Sequence, residues 1–152
     1  MYTNNHITKE DQISWFEIVN SAGDNYYWII EYDGKPIGLA SITAIDRVLE
    51  SCYWAFYIGD SSVRGGGVGS GVELFIIEYV FNKLRLNKLR CEVFSFNEKV
   101  ISMHEKYGFR REAYYREHCY KNGSFQDVVG LALLKKDWER IRVSFARLID
   151  EN

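Results

Sequence analysis

The amino-acid sequence predicts an α+β fold built on a mixed, mostly antiparallel sheet. Three observations carry this reading. Runs rich in aromatic and β-branched residues are punctuated by Asp33-Gly34 and Lys121-Asn122-Gly123, which supply the positive φ angles of tight hairpins. Between residues 52 and 94, a strand-like run, a glycine-rich loop, a helical pattern and a second strand-like run follow one another, which demands a crossover and one parallel pair. A chain of 152 residues, 47% hydrophobic and 26% charged, can bury one ordinary core, so residues 1–152 are read as a single domain.

In chain order, residues 8–20 read as a helix. Thr8 is its cap, Asp11 stands three positions later, and Ile13, Phe16 and Val19 recur at near-helical spacing. Strands at 26–32, 37–45 and 52–58 form an antiparallel meander. The helix after the glycine loop runs from about residue 69 to 84, with Val68, Val72, Phe75, Tyr79 and Leu84 on its buried face. A strand follows at 88–94, and a short helix at 97–107 ends at Gly108, which suits a left-handed C-terminal cap. Strands at 109–119 and 125–134 flank the second hairpin turn. Trp138, Ile141, Phe145 and Leu148 mark an amphipathic tail helix.

With 19 basic and 21 acidic residues and a net charge of -2, no overall field favours nucleic acid or an anionic membrane. No apolar run nears the roughly 18 residues of a membrane span, and the N-terminus lacks a signal pattern, so the expected location is cytoplasmic. Cys52, Cys91 and Cys119 lie far apart within strand-like runs rather than in metal-type pairs. They are expected as free thiols, with no metal site.

The stretch Arg64-Gly65-Gly66-Gly67-Val68-Gly69-Ser70-Gly71 joins a strand to a helix N-terminus, where unpaired backbone N–H groups and the positive end of the helix dipole converge. Glycines at 65, 66, 67 and 69 remove the β-carbons that would keep the backbone off an anionic oxygen, and Arg64 adds a positive charge, so a phosphate site is expected. The spacing fits neither a dinucleotide-binding fingerprint nor a P-loop, which needs Gly-Lys-Ser/Thr. Instead, Arg64-x-x-Gly67-x-Gly69 matches the signature Q/R-x-x-G-x-G/A, and on it the chain resembles the GNAT acetyltransferases. Asn97, just after the strand 88–94, and the helix ending Lys106-Tyr107-Gly108-Phe109 form the second landmark of that resemblance.

The resemblance implies a GNAT fold in which the parallel pair splays apart and helices cover both faces of the sheet. It also implies acetyl-CoA as acetyl donor. The amides of Arg64, Gly65, Gly66, Gly67, Val68, Gly69 and Ser70 would meet its pyrophosphate, Asn97 its pantetheine arm and Lys106 its phosphates, while a backbone N–H at Ile58 would polarise the thioester carbonyl. Four strings carry the likeness further: Ser41-Ile42-Thr43, Lys88-Leu89-Arg90-Cys91-Glu92-Val93, Asn97-x-Lys99-Val100 and Lys121-Asn122-Gly123-x-x-x-Asp127-Val128. In order and spacing they are similar to PseH-type enzymes, which acetylate the 4-amino group of a UDP-linked amino sugar in pseudaminic acid synthesis. Ribosomal-protein N-terminal acetyltransferases share much of this pattern and stand as the alternative, beside an acetyl-CoA-binding module without catalysis.

The family helix carries a tyrosine four residues before the glycine of Gly-Phe as proton donor to the departing thiolate, and this chain has His104 there. An unperturbed imidazole titrates at about 6.5 and a thiol at about 8.5, so a protonated histidine could donate although it is the minority form at pH 7. Glu92 and Ser41 are candidates to orient the acceptor amine or pass its proton through water; a carboxylate within a strand is costly if buried unpaired. The resemblance places Tyr2, Trp15, Tyr53 and Trp54 in a uridine-binding wall, where flat rings stack on the base.

GNAT chains open with a strand and a first helix before the region that begins here at Met1-Tyr2. Two readings stay open: the start lies at an internal methionine of a longer protein, or the exposed edge of strand 26–32 is covered by association, as in a homodimer.

Overall fold

The two hairpins form where the backbone accepts positive φ. Asp33 and Gly34 adopt φ of 49° and 71°, and Asn122 and Gly123 adopt 53° and 85°. These are left-handed values that asparagine, aspartate and glycine take at least cost. The computed structural model describes residues 25–63 and 66–146. The helix expected at 8–20, with Trp15, lies outside the described residues, as do Tyr2, Arg64, Gly65 and Leu148.

Among the described residues, β1 (Tyr26–Tyr32), β2 (Lys35–Asp46), β3 (Ser51–Ile58), β4 (Lys88–Phe94), β5 (Arg110–Lys121) and β6 (Ser124–Leu134) form one sheet in the order β1-β2-β3-β4-β6-β5. Every neighbouring pair is antiparallel except β3 and β4, which the crossover through α1 (Val68–Glu78) makes parallel. The chain then adds α2 (Glu98–Lys106) between β4 and β5, and α3 (Lys135–Ile141) after β6.

Strand alternation divides the sheet into two faces. Ala40, Ile42, Cys52, Trp54, Leu89, Cys91, Val93, Val129, Leu131 and Leu133 point to one side and bury against Leu74, Ile76, Ile77, Val80, Phe81, Ile101 and Trp138. The described helices all pack on that face. The opposite face carries Tyr27, Ser41, Tyr53, Ala55, Arg90 and Glu92, and is called the open face below.

The buried stripe of the crossover helix differs from the one read from periodicity. Phe75 is 44% exposed, whereas Glu73, Leu74, Ile76, Ile77, Val80 and Phe81 are buried. The helix ends in a π-helical turn over Tyr79–Lys83, in which the Leu84 N–H donates to the Tyr79 carbonyl at 2.9 Å. Apolar residues run most of the way round this helix, so two adjacent stripes share the helical period, and packing buries the one through Leu74, Ile77 and Phe81 while Phe75 stays on the flank; Leu84, past the π turn, is buried as expected. Phe75 nevertheless meets Trp28 edge-on at 5.4 Å.

Two polar ties fix the helices. Glu78 accepts from the Trp138 indole at 2.7 Å and from Arg142 at 2.9 Å, joining the end of α1 to α3 and the turn that follows it. Gly108, at φ 91°, closes α2, and the Phe109 N–H donates to the His104 carbonyl at 3.2 Å. Among the described residues, no helix is long and apolar enough to cross a membrane.

Two predictions follow from this packing. Gly38 lies in β2 opposite Ile58, and a β-carbon there would run into the backbone carbonyl of Tyr57. Gly38→Ala is therefore expected to cost about 1–3 kcal/mol in urea unfolding, because the strand itself would have to shift. The second concerns the thiols. Burial pushes Cys52 up to about 12 and raises Cys91 further, while Cys119 is only half-buried. Titration with a disulfide reagent should find Cys119 alone in the native protein, with Cys52 and Cys91 joining it on denaturation; rapid native reaction of either buried thiol would contradict this packing.

Candidate active site

The parallel ladder is short. It holds only Ser51 to Lys88, Cys52 to Leu89 and Tyr53 to Arg90. Beyond that point β3 continues to Ile58 on the β2 side, where Ile58 lies opposite Gly38, and β4 continues to Phe94 on the β6 side, opposite Val128. The strands therefore fork, and each keeps its outer partner while leaving the other. Trp54 and Cys91 are the first residues past the fork on the helix side.

The glycine loop sits at the far end of β3. Gly67 is the N-cap of α1 at φ 83° and makes no side-chain cap hydrogen bond. The Gly71 N–H is the first to find a helical acceptor, the Gly67 carbonyl at 3.0 Å, so the N–H groups of Val68, Gly69 and Ser70 point out of the helix end. Among the described residues, a β-carbon at Gly67 would meet nothing within 4 Å, whereas one at Gly69 would touch the Phe56 ring at 3.6 Å. Gly67 thus serves backbone shape beside open space, and Gly69 serves the close approach of helix to strand. A helix N-terminus whose first N–H groups meet no side-chain cap suits an anionic group such as a pyrophosphate.

Asn97 is the N-cap of α2 and likewise makes no side-chain cap bond; its carbonyl takes the N–H groups of Val100 and Ile101. Lys106 is exposed at the other end of α2, roughly 13 Å further along the axis. Ile58 ends β3 half-buried.

His104 projects from α2 toward the sheet. Its Nδ1 lies 2.7 Å from Oε1 of Glu73 on α1, and the two residues are 3% and 0% exposed. Its ring packs edge-on against Trp54 at 5.4 Å and beside Phe109 at 5.5 Å. Burial raises the Glu73 carboxyl above its ordinary range, and the contact with His104 opposes this. The sequence reading missed Glu73, whose only signal was an acidic residue inside an otherwise apolar helical stripe.

The expected uridine-binding wall does not survive intact. Trp54 is 3% exposed, stacked on Phe56 at 5.6 Å, and belongs to the core. The reason is strand parity: adjacent residues of β3 point to opposite faces, so Tyr53 and Trp54 cannot share a wall. Tyr53 does lie on the open face, with the Arg90 guanidinium 4.3 Å above its ring. Ser41 and Glu92 share that face, and Ser41 Oγ donates to the Ala55 carbonyl at 3.4 Å. A concavity there is lined by Tyr53, Arg90, Glu92, Glu112 and Tyr115 among others. A roomier one of about 250 Å³, between Glu105, Arg110, Asp137 and Arg140, lies at the C-terminal end of α2, away from the glycine loop and Asn97.

Comparison with known proteins agrees with this geometry. The acetyltransferase (GNAT) domain family matches residues 1–110. Over 108 residues the chain is 32% identical to YdaF of Bacillus subtilis (strain 168), provisionally named a ribosomal N-acetyltransferase, a match covering 71% of this chain and 58% of that protein. It is 31% identical over 104 residues to the L-amino acid N-acetyltransferase AaaT of Escherichia coli (strain K12), covering 68% of this chain and 64% of that one. These matches thus span less than two thirds of each relative. The spermidine N-acetyltransferase of Vibrio cholerae, solved in complex with CoA and spermine, superposes with a TM-score of 0.84 over 91% of this chain and 82% of its own, at 19% identity, a likeness of fold. With the signature loop at the uncapped N-terminus of α1, the forked parallel pair and the family match over residues 1–110, the chain belongs to the GNAT acetyltransferase family.

Proposed function

We propose that this chain is an acetyl-CoA-dependent N-acetyltransferase that acts on a primary amine. The observation that carries the reading is the fork between β3 and β4, with the open helix N-terminus at its mouth. Arg64 and the amides of residues 65–70 would hold the pyrophosphate, and Asn97 the pantetheine arm, so that the acetyl thioester reaches the fork from the helix side. Acetyl-CoA supplies the activated acetyl group. Ser41, Tyr53 and Glu92 would hold the amine on the open face, so donor and acceptor meet from opposite sides of the sheet.

The chemistry left to the protein is proton handling and charge stabilisation. A neutral amine nitrogen bonds to the carbonyl carbon, the carbon–sulfur bond breaks, and sulfur leaves with the electron pair. His104, beside the fork, would give that sulfur a proton, while the nitrogen loses one through water ordered by Glu92 and Ser41. A backbone N–H near Ile58 would stabilise the charge that builds on the carbonyl oxygen.

For the acceptor, the finer reading is a UDP-linked 4-amino sugar, supported by the ordered likeness to PseH-type enzymes. Arg90, whose guanidinium lies over Tyr53 on the acceptor face, supports it as a group that could pair with a diphosphate. The competing reading, a peptide or amino-acid α-amine, is favoured by the likeness to YdaF and AaaT.

Two experiments test these readings. Gly67→Val should reduce acetyl-CoA affinity at least about tenfold by calorimetry, since a branched side chain would fill the space before the helix and strain a left-handed residue. Unchanged affinity in the folded variant would remove the donor-site assignment. In a panel of UDP-amino sugar, the same sugar without UDP, a peptide with a free N-terminus, L-amino acids and spermidine, the nucleotide sugar should show the highest kcat/KM. A faster peptide or amino acid, or indifference to UDP, would replace the sugar reading.

A further inference from the structure

We propose that Glu73 is a positioning residue for His104, holding the imidazole through Nδ1 so that Nε2 carries the proton delivered to the departing sulfur at the fork. This rests on the N-acetyltransferase reading above, which gives His104 that delivery. The geometry behind it is a pair sealed in the core, with Glu73 Oε1 2.7 Å from His104 Nδ1 and both residues almost wholly buried.

The surroundings of the pair are apolar or neutral. From β3, Trp54 presents its ring to His104. From β4, the Cys91 thiol faces the same space; burial and the nearby Glu73 both raise it, so it stays uncharged. Glu92, next to Cys91 in β4 but on the open face, also raises that thiol. Phe109 closes the side next to α2. Among the described residues, no lysine or arginine forms an ion pair with Glu73.

Such a pocket disfavours net charge, so the pair keeps one proton between Oε1 and Nδ1. That proton has two resting places: carboxylate with imidazolium, or carboxylic acid with neutral imidazole accepting at Nδ1. Nε2 bears hydrogen in both. Delivery breaks the Nε2–H bond, and the proton goes to the sulfur that has taken the electron pair of the broken carbon–sulfur bond. The shared proton then settles on Nδ1, which donates to the Glu73 carboxylate, and solvent restores the proton at Nε2. A lone histidine would deliver only from its imidazolium form; Glu73 makes that form accessible from a neutral pair.

One further detail separates this role from a structural one. Glu73 Oε2 is buried with no hydrogen-bond partner among the described residues, a standing cost that an apolar side chain at this position would avoid.

The test is a set of single-turnover pH profiles for acetyl transfer from acetyl-CoA to the fastest amine of the panel. Glu73→Gln keeps the shape but cannot lend the charge. It should lower the rate about 10–100-fold at pH 8, lose much less at pH 6, and leave acetyl-CoA affinity unchanged, so that the alkaline limb moves to lower pH. A profile that overlays the wild type, or one lowered by the same factor at every pH as a purely structural defect would give, overturns the proposal. His104→Gln run alongside separates the two layers: a wild-type rate there defeats the donor role of His104 itself, whereas a slow His104→Gln with an unshifted Glu73→Gln defeats only the role of Glu73. Should Glu73→Gln fail to fold, nitrogen-15 imidazole spectra of the wild type decide, with the His104 signals identified by their loss in His104→Gln. Hydrogen on Nε2 at pH 7 is expected; a bare Nε2 with hydrogen on Nδ1 overturns the inference.

Discussion

The parting of β3 from β4 after Tyr53 and Arg90 is the constraint on which the rest of the molecule depends. Two parallel strands in a sheet ordinarily satisfy each other's backbone groups, and giving up that ladder costs hydrogen bonds. Beyond the fork each strand stays paired with its outer neighbour, β3 with β2 and β4 with β6, so the parted segments keep their ladders on that side. The crossover that makes the pair parallel also delivers the N-terminus of α1 to the mouth of the fork. One topological feature therefore creates both an opening through the sheet and a focus of backbone N–H groups beside it.

The helix side of the fork is where the chain departs from a plain apolar core. Glu73 interrupts an otherwise hydrophobic stripe, and His104 arrives from α2 to meet it. The position of α2 is fixed at both ends: Asn97 starts it, Gly108 ends it, and Arg111 of β5 bonds Glu105 at 2.8 Å and Glu98 at 2.9 Å across its outer surface. These exposed ion pairs add little stability individually. Together with the Phe109 contact they hold the helix orientation that brings His104 under the fork. On the open side, acidic, basic and aromatic groups lie on adjacent strands, the mixture expected where a polar acceptor is to be oriented rather than merely buried.

Much of this was legible from residues alone because local chemistry and global fold agree. Asp33-Gly34 and Asn122-Gly123 require turns whatever surrounds them, and the strands they delimit fall where alternation and composition put them; β1 and β4 match their expected bounds. The glycine loop was readable because so many residues without β-carbons next to a helix start have few other uses. What failed was phase. Val68, Val72, Phe75 and Tyr79 form a stripe of helical period as good as the buried one through Leu74, Ile77 and Phe81, and only tertiary packing selects between them. Parity within β3 separates Tyr53 from Trp54, whereas the resemblance implies one wall holding both. The Glu73–His104 contact spans 31 residues and two helices, beyond the reach of any local pattern. Tyr2, Trp15, Arg64 and Gly65 lie outside the described residues.

The central claim is that coenzyme A enters the fork. Backbone amide chemical shifts recorded while the chain is titrated with CoA test it directly. The account predicts the largest changes at residues 54–58 and 66–70 and at Asn97, with the outer edge of β5 silent. Changes concentrated instead around Glu105, Arg110 and Arg140, with residues 54–58 unmoved, would contradict it.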